Sequence, residues 1–151
     1  MKLKIPNKIL ADNVEEVVRR GHAATIPLRG FSMRPFLEDR RDKAVLVKVE
    51  SLKKNDVVLA HIGDKYMLHR IVAIDGDRIT LLGDGNMTPE HCCKDDVIAY
   101  AKGFYRKGRE KMESTNSIKW KLYSAIWTRL LPLRKYLLFI HRHINIKNNI
   151  Q

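Results

Sequence analysis

From position 24 to about 106 the sequence is cut into short runs rich in β-branched residues, each closed by turn formers at intervals of about 8–12 residues. The runs fall at 25–28, 44–49, 56–61, 66–74, 78–82 and 97–105. Segments this short, bounded by Gly, Asp and Pro, suit strands better than helices, so the region is expected to be β-rich. Asp75-Gly76-Asp77 reads as a hairpin turn, because glycine tolerates the positive φ such turns demand, and Gly63-Asp64 plays the same part earlier.

The flanks read differently. Asp12 and Glu15 have the spacing of a capping box, Val14, Val17 and Val18 recur at helical intervals, and Arg19, Arg20 and Gly21 suit a helix end. This predicts a short helix over 12–20. After Gly108 comes a polar stretch, 109–117, and then Trp120, Tyr123, Ile126, Trp127 and Leu130 at helical spacing. Beyond Pro132 the set Leu133, Tyr136, Leu137, Ile140 and Ile144 keeps the same period, which predicts two amphipathic helices joined at the proline. The expected organisation is an N-terminal segment over 1–22, a β domain over 23–108, a linker over 109–117 and a basic helical tail over 118–151.

With 151 residues there is chain for one core and an appendage. A hydrophobic content of 44% with 30% charged residues excludes wholesale disorder and low-complexity classes. The only two cysteines, Cys92 and Cys93, are neighbours and cannot staple distant segments, which fits a reducing compartment. The basic start, Met1 to Lys8, leads into no apolar run, which argues against a secretory signal or an N-terminal anchor. A cytoplasmic protein, or one peripheral on the cytoplasmic membrane, is the expectation.

The segment Gly30-Phe31-Ser32-Met33-Arg34-Pro35-Phe36-Leu37 sets a serine between a flexible glycine and a proline-fixed turn, where a hydroxyl can be held at a strand end. Alone it is weak evidence, since the ordinary reading of such a serine is one that caps a loop turn. Three further segments accompany it: Lys54-Asn55-Asp56-Val57-Val58-Leu59, Leu68-His69-Arg70-Ile71-Val72 and Gly83-Asp84-Gly85-Asn86. In order and spacing over about 24–108 the four resemble the type I signal peptidases and their LexA-like relatives, serine proteases with a compact β core. Asn55 stands where that family usually has glycine, and the Gly-Asp-Asn box carries an extra glycine.

The resemblance implies a serine endopeptidase with Ser32 as nucleophile and His69 as base, in the manner of the superfamily's histidine-type members. Histidine suits that task, since an imidazole with an ordinary pKa of about 6.5 is largely neutral at cytosolic pH. Asp84 matches the aspartate of the Gly-Asp-Asn box and is the expected third catalytic residue. Histidine-type relatives place the orienting carboxylate a few residues later, where this chain has Thr88, Pro89, Glu90 and then Asp95-Asp96. Gly30, Met33 and Pro35 are the expected substrate-binding positions, and Gly30 offers no hydroxyl where bacterial relatives often have a serine that helps hold the oxyanion. No cofactor and no metal is implied; His91-Cys92-Cys93 lacks the ligand spacing of a zinc site.

The expected partner is a peptide or protein substrate. A catalytically silent peptide-binding module, or a LexA-like regulator without its DNA-binding domain, is the alternative. The net charge of +12 raises nucleic acid as a partner, but only one short helix precedes the serine segment, no helix-turn-helix is read, and none is expected. The tail, over 118–146, carries too many Lys and Arg for a spanning helix. It could lie on a membrane surface or pack its apolar stripe against the β core or a partner.

Overall fold

The computed structural model describes residues 7–30 and 32–148; positions 1–6 of the basic start, Phe31 of the serine segment and the tail's last positions, 149–151, lie outside the described residues. Helix α1 (Asn7–Arg19) is followed by strands β1 (Ala24–Pro27), β2 (Lys43–Val47), β3 (Val57–Ile62), β4 (Lys65–Asp75), β5 (Arg78–Leu82), β6 (Glu90–Cys93), β7 (Val97–Tyr105) and β8 (Glu113–Ser114). Helices α2 (Ile118–Arg129) and α3 (Arg134–Asn148) close the described chain, joined by a 3₁₀ turn over Leu131–Leu133 that contains Pro132. The sheet is antiparallel throughout, in the order β1-β2-β7-β3-β4-β5-β6, with β8 pairing to β7. The fold is mainly β, as the punctuated runs require.

Three differences from the sequence expectation have physical causes. Helix α1 begins five residues before Asp12, because Leu10, Ala11, Val14 and Val18 form one stripe that packs on the sheet and carries the helix through the capping-box position. Strand β6 was not among the β-branched runs: Glu90-His91-Cys92-Cys93 has little intrinsic strand signal and is held by pairing along β5. The polar stretch 109–117 contributes β8, where Ser114 and Glu113 pair with Gly103 and Phe104. A side chain at Gly103 would meet Met112, so glycine there lets the segment lie close.

The larger core lies between α1, the sheet and α2. Val14, Leu37, Leu46, Val57, Phe104 and Trp120 belong to one buried cluster, with Tyr123 packed against it. Phe36 stacks on Tyr123 at 4.6 Å and meets Trp120 edge-on at 4.9 Å. The inner face of α2 is therefore core, which answers one of the two possibilities left open for the tail. The helix starts cleanly because the Ser117 side chain accepts from the Trp120 N–H at its N-terminus. A second cluster, with Val58, Ala60, Ile71, Ile79 and Leu81, lies under β5 and β6.

Candidate active site

Strand alternation sends the neighbours His69 and Arg70 of β4 to opposite sides. His69 is buried at 5% exposure, and its Nδ1 lies 3.1 Å from Glu90 Oε2 on β6. A carboxylate accepts, so this bond places a proton on Nδ1, and in the neutral ring the lone pair is then on Nε2. Burial pulls the His69 pKa below the ordinary histidine value, against the upward influence of Glu90 and Asp84. Burial thus favours the neutral imidazole.

Ser32 is brought to the same place by the turn after β5. The Gly85 N–H donates to the Ser32 carbonyl at 2.8 Å, and the Asn86 N–H closes the turn on Gly83 O at 2.9 Å. At Gly83 the packing permits no side chain: a Cβ would overlap the Ser32 carbonyl oxygen, and would stand 2.9 Å from Asn86 Nδ2 and 3.1 Å from His69 Nε2. The Ser32 backbone and the free nitrogen of His69 therefore flank a single glycine. On the other side of Ser32, Gly30 sits at φ +80° with its N–H on Asp39 Oδ1 at 2.6 Å, and Met33 and Leu37 anchor the segment in the core.

Asp84 is not the carboxylate against His69. It is fully buried and forms a paired contact with Arg70, Nε to Oδ1 at 2.7 Å and Nη2 to Oδ2 at 2.8 Å. The carboxylate beside His69 is instead Glu90, one of the residues a few places beyond the Gly-Asp-Asn box. The reason is the alternation of β4: the Gly83–Asn86 turn passes under both His69 and Arg70, and the guanidinium takes Asp84 with two parallel bonds, the stronger geometry.

The helical tail completes this loop. Tyr123 donates to Asp84 Oδ2 at 2.8 Å, Trp127 Nε1 to the Asp84 carbonyl at 3.0 Å, and Arg70 Nη1 to Ser124 Oγ at 2.5 Å. Buried Arg134, at the start of α3, reaches the carbonyls of Gly83 and Asn86 at 3.4 and 3.3 Å. Burial pushes the Tyr123 phenol up, and Asp84 adds to it, so Tyr123 is a fixed donor. Sequence reasoning missed these contacts; they join residues 39 to 54 positions apart, and no local spacing announces them.

A cleft of about 180 Å³ adjoins Ser32. Gly30 and Met33 line it with apolar positions of α1, β1 and the start of β4, while Pro35, His69 and Glu90 lie outside its lining. Among the described residues β1 pairs only with β2, and β4 before Arg70 only with β3, so two strand edges without a described partner border the cleft. A larger cavity of about 650 Å³, with Lys48, Lys53, Asn55 and Lys121 in its wall, includes none of Ser32, His69 and Glu90. Among the described residues no helix is long and apolar enough to cross a membrane. No protein-family description matches the chain, and no curated protein matches it in sequence.

Proposed function

We propose that the chain is a serine endopeptidase of the signal-peptidase-like type, working through Ser32, His69 and Glu90. The observation that carries this reading is that the Ser32 main-chain carbonyl and His69 Nε2 both lie against Gly83, with His69 Nδ1 on Glu90. Ser32 Oγ attacks a peptide carbonyl carbon while His69 Nε2 takes its proton, and the Ser32 backbone N–H helps hold the oxyanion. The C–N bond breaks as the imidazolium returns that proton to the leaving amine. Water then repeats the sequence on the acyl-Ser32 ester and frees the acid. Glu90 holds the imidazole in the tautomer that accepts at Nε2 and stabilises the imidazolium between the two transfers. A base so placed contributes about 10²–10⁴-fold.

The substrate on this reading is an extended peptide with small residues beside the scissile bond. The two strand edges offer it main-chain hydrogen bonds, and the apolar 180 Å³ cleft limits the side chain that enters. The same edges support a second reading, a peptide-binding module that cleaves nothing. Two free adjacent thiols, Cys92 and Cys93, suit a reducing, cytoplasmic setting. Mass spectrometry of a peptide library incubated with the intact protein, with Ser32→Ala and with Glu90→Gln separates the two. Cleavage by the first, none by Ser32→Ala and slowed cleavage by Glu90→Gln is the expected result. Peptides retained by the protein but never cleaved would sink the peptidase and leave the binding module.

A further inference from the structure

We propose that the outward face of the C-terminal helices docks on an anionic lipid bilayer. The inner face of α2 is occupied, with Trp120, Ser124 and Trp127 buried against the core and the Asp84 loop. Its outer face is apolar as well: Ile118, Leu122 and Ile126, one helical stripe, are 85%, 58% and 50% exposed. Helix α3 repeats the pattern. Arg134 and Leu138 are buried, whereas Tyr136, Ile140 and Ile144 form an exposed stripe on the far side, which exposed Leu133 of the preceding turn adjoins.

Charge identifies what covers this face. Residues 118–148 contain seven of the chain's 29 Lys and Arg and none of its 17 Asp and Glu, so seven of the twelve net positive charges lie here. Lys119 and Lys121 flank the α2 stripe and Lys135 and Arg142 the α3 stripe, all exposed. A protein partner with an apolar contact centre disfavours lysine in that setting. A bilayer interface takes both parts: the apolar stripe enters the headgroup boundary, Tyr136 sits at its level, and the flanking cations meet acidic lipids. No described helix is fit to span, so both would lie in the plane of the surface, where α3 alone covers about 22 Å.

The test is co-sedimentation of the full chain with vesicles of phosphatidylcholine alone and of phosphatidylcholine with phosphatidylglycerol. Binding to the acidic vesicles is expected to exceed that to neutral ones by about tenfold or more, since several cations contribute together. Tyr136→Glu/Ile140→Glu and, separately, Lys135→Glu/Arg142→Glu should each lower it by at least about tenfold. These side chains are exposed, so unchanged circular dichroism and melting are expected in both. Sedimentation with neither vesicle, equal sedimentation with both, or wild-type binding by both double variants overturns the proposal. So does a concentration-dependent dimer that Tyr136→Glu/Ile140→Glu abolishes, because the face would then belong to a second copy. None of these outcomes depends on peptidase activity.

Discussion

Replacing Gly83 by alanine tests the geometry of the site at its narrowest point. The backbone at Gly83 is not in the left-handed region, so alanine is conformationally acceptable and the effect is one of space alone. The added Cβ meets a backbone oxygen, that of Ser32, which the Gly85 N–H holds in place, and it also meets the two side-chain nitrogens of Asn86 and His69. Backbone cannot rotate away as the end of a side chain can. Overpacking of this kind costs about 1–3 kcal/mol. For a chain of this size each kcal/mol lowers Tm by about 2–4 °C, so a fall of roughly 2–12 °C is expected. The alanine should also drive Ser32 and His69 apart, and about 1 Å of misplacement costs on the order of 10²-fold in rate. Gly76→Ala is the control. Nothing lies within 4 Å of its Cβ, but its φ of +57° makes alanine unfavourable by about 1 kcal/mol, so it should melt lower without losing activity. Differential scanning calorimetry, the His69 ring resonances in NMR and peptide cleavage read the three consequences. A Gly83→Ala protein with wild-type melting and an unmoved His69 spectrum would refute the contact on which the site is built.

Glu90→Gln should slow cleavage by about 10²-fold or more, the usual scale for a misoriented base. Because Glu90 raises the His69 pKa against burial, its removal should also move the acid limb of the rate profile to lower pH; a limb moved upward would contradict the assignment. Asp84→Asn leaves buried Arg70 without its partner and should destabilise by about 3–5 kcal/mol, measured by urea titration; a loss below 1 kcal/mol would show the pair to be solvated. Burial pushes Asp42 up, but the Arg41 guanidinium and the N–H groups of Lys107 and Glu38 outweigh it and hold the carboxyl below its ordinary range. Its contribution is therefore complete above the unfolded value of about 3.9 and is lost as the pH falls through the lower folded one. Asp42→Asn should be less stable at neutral pH and lose less on acidification; equal slopes would argue against it.

Much of this architecture was legible locally. The alternating runs marked six of eight strands because β-branched residues on a half-buried pleat leave a two-residue period, and the break at Pro132 was legible because proline removes a helix donor. β6 was not, since a strand whose residues are Glu, His and Cys is determined by its neighbour β5 and not by itself. Ser32 and His69 stood out by motif, and the structure sets both against Gly83. The carboxylate could not be chosen from order alone. Asp84 lies in the turn after β5 and Glu90 at the start of β6, and only the alternation of β4 decides that one meets Arg70 and the other His69.

The tail shows most plainly why periodicity alone left a choice between core and surface. An amphipathic helix has one apolar face, and the usual question is what it covers. Here α2 carries two, so its spacing was compatible with both answers. The inner face is fixed by polar detail: Trp127 Nε1 and the Tyr123 hydroxyl find acceptors on Asp84, and Ser124 accepts from Arg70. Each is a buried polar group that would be costly without its partner, which makes the register of α2 against the Gly83–Asn86 turn specific and not merely adhesive. It follows that the tail is no detachable appendage. Removing residues after 117 should strip Trp120 and Tyr123 from Phe36 and expose the Arg70–Asp84 pair, so the truncated chain is expected to melt without cooperativity. A truncated chain that kept a sharp transition near the wild-type Tm would mean that the sheet and α1 suffice, and that α2 rests on a core already complete.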